Sequence, residues 1–127
     1  MKLYVMCLAV LVGLSASACR AQKLVYLRCN VPSHEGHPAN HFDFTLDEQN
    51  GTVTFFVKEA NALNKEKAVF GPETVTWTSE LSLPDSHITR TINRVSLAFT
   101  DKLVLNGQLM QDDVGTCSVV AAPERKF

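Results

Sequence analysis

One stretch, Ile88 to Leu109 (ITRTINRVSLAFTDKLVLNGQL), does most to limit what this chain can fold into. Ile88, Arg90, Ile92 and Arg94 fall on one side of an extended chain, with Thr89, Thr91 and Asn93 on the other. At Val95 the apolar phase flips, so that Val95, Leu97 and Phe99 share a face. A period of two with one slip predicts a long strand carrying a bulge, because an extra residue re-aims every side chain after it. A short polar turn is expected at Thr100-Asp101-Lys102, after which the alternation resumes with Leu103, Leu105 and Leu109. The stretch reads as a long β-hairpin on which a small β domain can be assembled.

The segments before it have the same character. Val25, Leu27 and Cys29 share one face of a first strand, Leu24 to Cys29. Two prolines and a glycine keep Asn30 to Asn40 irregular. Phe42, Phe44 and Leu46 alternate with polar residues, and Val53, Phe55 and Val57 return as a partner strand after the Asn50-Gly51 turn. Lys58 to Lys67 carries too few apolar residues for a confident helical face and reads as a helical turn or a loop. Val75 and Trp77 alternate with threonines in Thr74 to Thr78, a sequence of high β propensity. Gln111 to Gly115 is expected to turn and Thr116 to Val120 to form the last strand. The sum is an all-β domain, a small antiparallel β-barrel or β-sandwich of about seven strands. Its expected core includes Phe44, Phe55, Val75, Trp77, Leu97 and Phe99.

The amino terminus points to export. Lys2 precedes an apolar run, Leu3 to Leu14, too short to span a bilayer, and small residues follow at Ser15-Ala16-Ser17-Ala18. This is the pattern of a secretory signal peptide. Ala16-Ser17-Ala18-Cys19 resembles a bacterial lipobox, with Ala16 where leucine is usual, so one reading makes Cys19 a lipidated first residue. The other is cleavage after Ala21, giving a soluble chain from Gln22. The segment 1–21 is thus set apart as signal, residues 22–122 as a single β domain and 123–127 as a tail. Either cut leaves Cys29 and Cys117 as an even pair, which an oxidising compartment favours as a disulfide. Closing a loop of roughly ninety residues contributes about 4–5 kcal/mol in the chain-entropy model.

Charge and motifs exclude more than they assign. Twelve Lys and Arg against thirteen Asp and Glu give a formal net charge of −1, with no basic stripe to hold nucleic acid or an anionic membrane. Membrane attachment is expected only through a lipid on Cys19. No Gly-x-Ser-x-Gly elbow, phosphate loop, His-Glu-x-x-His or calcium loop occurs, and no cofactor is implied. Arg90 and Arg94 read as stems lying on a sheet face with wet guanidinium groups, and Asp112-Asp113 as a solvated turn. The exception is a histidine-rich loop, His34, His37 and His41, with Glu35 and Asp43 alongside. Imidazoles beside a carboxylate suit zinc or copper.

Several short motifs occur together: a first strand ending at Cys29, Val75-Thr76-Trp77-Thr78, Ile92-Asn93-Arg94, Gly115-Thr116-Cys117 and a terminal Lys126-Phe127. With the signal peptide they make a chain that resembles the small, uncharacterised exported proteins of proteobacteria and their phages. That resemblance implies compartment and fold, and carries no activity. Periplasmic lysozyme inhibitors offer a second comparison, as disulfide-supported eight-stranded barrels. Their Ser-Gly-x-x-Tyr and Trp-x-Lys-Gly stretches are absent here, since Trp77 is followed by Thr78 and Ser79.

Two functions are therefore expected. The first is a non-enzymatic binding or interaction module of the bacterial cell envelope, in the periplasm or anchored to the outer membrane as a lipoprotein. It would present its loops to an envelope protein or glycan. The second is a metal-binding protein or metal-dependent enzyme using His34, His37 and His41.

Overall fold

The computed structural model describes residues 23–57 and 61–122. The signal segment with Cys19, the tail 123–127 and residues 58–60 lie outside the described residues. Among those described there is no helix. The strands are β1 (Leu24–Val31), β2 (Asn40–Asp47), β3 (Thr52–Val57), β4 (Ala62–Lys67), β5 (Val69–Phe70), β6 (Thr74–Glu80), β7 (His87–Asn93), β8 (Ala98–Leu105) and β9 (Gln108–Val120).

All pairings are antiparallel, in the order β4-β3-β2-β1-β9-β8-β7-β6-β5. The two ends of that order belong to one run of chain. Residues 62–67 pair with β3, and past Ala68 residues 69–70 pair with β6. The run changes partner at Ala68, whose N–H donates to the Gly51 carbonyl at 2.9 Å. Lower down the seam, the Ser79 hydroxyl of β6 donates to Glu66 of β4 at 2.7 Å. The sheet is thereby curled into a nearly closed barrel of nine strands, which selects the barrel over the sandwich.

Alternation sends one face of each strand inward. Phe44 stands near the middle of the interior, with ring centroids 4.9 Å from Trp77, 5.7 Å from Phe99 and 6.0 Å from Phe55. Leu27, Val53, Val75 and Ile92 are buried with them. On the outside, Thr76 and Thr78 of β6 face Thr91 and Thr89 of β7 in hydroxyl contact at 3.3 and 3.2 Å. The threonine alternation of both strands is thus used across a single ladder.

β1 and β9 are neighbours, and Cys29 and Cys117 face each other across them as a disulfide. Two positions before Cys117, Gly115 backs onto the end of β1. A Cβ there would overlap the carbonyl group of Asn30, whose carbon lies 2.9 Å away, so the approach needs glycine. At the other end of the same ladder Tyr26 pairs with Val120.

The long hairpin differs from the sequence reading. The phase flip after Asn93 is a turn and not a bulge: Arg94 to Leu97 connect β7 to β8. The Asn93 side-chain oxygen accepts from the Val95 and Ser96 N–H groups at 2.9 Å, and Leu97 closes the loop at φ +61°. A turn and a bulge shift the apolar phase alike, and no glycine or proline marks this one. Val95 is left 81% exposed, while Leu97 packs partly buried against the core. Thr100-Asp101-Lys102 is the middle of β8. The reversal lies instead at Asn106-Gly107, both at positive φ, the dipeptide and geometry of a two-residue hairpin. Gln111 to Gly115 likewise belongs to β9, and residues 62–67 form a strand where a helical turn or loop was expected.

Candidate functional site

The large aromatic side chains fill the middle of the barrel, and smaller aliphatic ones face one end. Val25 and Leu27 of β1, Leu46 of β2, Phe70 of β5, Val75 of β6, Ile92 of β7 and Val119 of β9 line a cavity there of about 870 Å³. Leu97 adds an apolar wall from the β7–β8 loop. A barrel of about eight strands is just wide enough to be filled by side chains or to hold one small ligand, and the width grows with strand number. Apart from Phe70 the apolar lining is aliphatic, and Leu27, Val75 and Ile92 within it are only 1–2% exposed.

The rim is polar: Lys23, Glu48, Gln49 and Arg94. Arg94 ties three connections together. Its Nη1 donates to Glu48 Oε1 at 3.1 Å and to the Gly71 carbonyl at 2.7 Å, and its Nη2 donates to Glu48 Oε2 at 2.7 Å. Its backbone N–H donates to the Glu73 carbonyl at 2.7 Å. The β2–β3, β5–β6 and β7–β8 connections are thus fixed around the mouth. Leu97, beside this clamp, holds a left-handed conformation that costs a non-glycine residue roughly 1–2 kcal/mol. Such backbone outliers cluster where a site needs a side chain in one place.

A charged group occupies the interior toward the opposite end. Arg90 and Asp101, each with a side chain only 11% exposed, are in ion-pair contact at 3.3 Å. The Arg90 guanidinium lies 5.0 Å from the Phe42 ring centre and 5.4 Å from that of Phe55, so its charge also meets two aromatic faces. Asp101 pairs across the ladder with Asp113. Burial pushes the Asp101 carboxyl above its ordinary range, Arg90 opposes the rise, and Asp113 adds to it. The Asp113 carboxylate in turn meets His34 Nε2 at 2.6 Å and accepts from the Gln111 amide.

Two sequence readings are corrected by this group. The Arg90 guanidinium is buried and not wet, and Asp113 faces the interior of β9 where a solvated turn was expected. The signal was in the alternation: Arg90 is in phase with Ile92, Asp101 with Phe99, and Asp113 with Cys117. Charged residues at inward positions of a period-two strand mark an internal ion cluster.

The three histidines expected to form one site, His34, His37 and His41, fall in two places. His34 and His37 exchange backbone hydrogen bonds at 3.1 and 2.7 Å across a tight turn, where Glu35 and Gly36 have positive φ. Their rings are 5.3 Å apart, and the His34 ring is turned to Asp113. His41 sits opposite Asn30 at the start of β2 and lines a separate small pocket with Asn30, Asn40 and Thr116. Among the described residues no three His, Cys, Asp or Glu side chains are grouped to hold a metal ion. Cys29 and Cys117 are bonded as expected, and Cys19 lies outside the described residues. The cavity and its rim were not foreseen, because a void depends on how strands tilt and close.

Comparison with known proteins adds no assignment: no family profile matches the chain, and neither a curated protein nor a solved structure does.

Proposed function

We propose that this protein is a non-enzymatic binding module of the bacterial cell envelope that holds a small apolar ligand in the open end of its barrel. The observation that carries the reading is the aliphatic cavity of about 870 Å³ under a polar rim. Ligand pockets are typically apolar concavities of about 300–1,000 Å³ with a few placed polar groups, and they favour the mouths of barrels. A glycan would bring many hydroxyls to a wall that offers them no partners, so a lipophilic ligand fits better. The signal-like amino terminus and the disulfide are compatible with an exported, oxidising setting.

Titration with an uncharged solvatochromic dye such as Nile red tests the reading. Saturable binding is expected, and Val119→Trp, which places a ring in the mouth from an outlying position, should abolish it without lowering the unfolding midpoint. Absence of binding, or equal binding by the variant, would remove the cavity from the argument.

A further inference from the structure

The rim of the cavity has a chemistry of its own. Arg94 and Lys23 are cations on it and Glu48 an anion, leaving one positive charge in excess. Glu48 is already held end-on by both Nη atoms of Arg94. An arginine has five N–H donors, and the contacts of Arg94 use three of them. The two left over are Nε–H and the second Nη2–H, the side-on fork whose spacing matches the two oxygens of a carboxylate or phosphate. Lys23 makes no ion pair among the described residues. Below these cations the wall is hydrocarbon: Val25, Leu46, Phe70, Ile92, Leu97 and Val119.

We propose that the cavity takes a single-chain amphiphile with an acidic head, the tail inside the barrel and the head at Arg94 and Lys23. This rests on the cavity reading above and specifies its ligand class. The head stays at the wet rim, so it keeps most of its hydration while gaining charge-assisted hydrogen bonds. A cationic head would meet Lys23 and Arg94 with like charge, and an uncharged head would leave the fork unused.

The test is competition against Nile red at neutral pH by decanoate, decyl phosphate, decanol and decylamine, all below their aggregation thresholds. Decanoate or decyl phosphate should displace the dye at about tenfold lower concentration than decanol, with decylamine weakest. The order of the two acids tells a fatty-acid-like head from a phospholipid-like one, and either order carries the acidic-head assignment. Lys23→Gln and Arg94→Gln should each shrink the gap between acid and alcohol while decanol competes as before. Lys23 makes no ion pair or side-chain hydrogen bond among the described residues, so Lys23→Gln decides the matter if Arg94→Gln loosens the rim. Equal displacement by decanoate and decanol, or strongest displacement by decylamine, would overturn the acidic head and leave the cavity standing. Failure of Nile red itself to bind would overturn both.

Discussion

Asp101 and Asp113 stand directly opposite each other on neighbouring strands, both turned into the barrel, with Arg90 against the first and His34 against the second. Burial keeps the Asp101 carboxyl protonated at pH values where the unfolded chain has ionised it. The folded state then binds the extra proton. Its stabilising effect is full below the ordinary aspartate value and is lost as pH rises through the raised folded value. Asp113→Asn removes the neighbouring charge that adds to the shift. The Asp101 titration, followed by carboxyl-carbon NMR, should move toward lower pH in that variant.

Removing the other partner has a different outcome. Asp101→Ala leaves the Arg90 guanidinium inside the barrel without its counter-ion, against the faces of Phe42 and Phe55. Stranding a buried charge costs about 3–5 kcal/mol. Urea unfolding should show that loss, and Arg90→Met with Asp101→Leu should recover much of it by replacing both charges with apolar groups.

Gly115→Ala is expected to destabilise far more than one methyl group would suggest. The added carbon collides with the backbone of Asn30, so β1 and β9 must separate next to the disulfide. Overpacking of this kind typically costs about 1–3 kcal/mol, and thermal unfolding measures it. A midpoint equal to that of the parent protein would refute the close approach.

The disulfide joins neighbouring strands in space that are 88 residues apart in sequence. Replacing Cys29 and Cys117 together by alanine removes about 4–5 kcal/mol in the loop-entropy model. For a domain near one hundred residues the unfolding midpoint should fall by roughly 15 °C or more.

Leu97 separates stability from binding. Leu97→Gly relieves the left-handed strain but removes an apolar wall of the cavity. The two effects oppose each other in the folding equilibrium, so the midpoint should move by no more than a few degrees. Nile red affinity, which gains nothing from relaxed backbone, should drop several-fold.

The sequence made some of this legible and hid the rest for identifiable reasons. Phe42, Phe44 and Leu46, then Val53, Phe55 and Val57, announce half-buried strands because each element is specified by its own alternation. β4 (ALNKEK) carries no such signal, since it is a strand only by virtue of pairing with β3. Asn106-Gly107 has the residue types of a turn, but the leucine alternation from Leu103 to Leu109 masked it; Arg94 to Leu97 has no such residues, because leucine is an improbable occupant of the left-handed region. The disulfide followed from the cysteine count. The internal ion cluster and the cavity arise from residues distant in sequence that only barrel closure brings together.

The pairing of Tyr26 with Val120 puts the first and last described residues at one end of the barrel. The chain comes into the barrel and departs from it side by side, at the end where Lys23 and Val119 border the cavity. The Asn106–Gly107 tip is at the far pole. A bulky group attached at Lys23 or Val120 would stand at that same doorway, and the far pole is where a label leaves it clear.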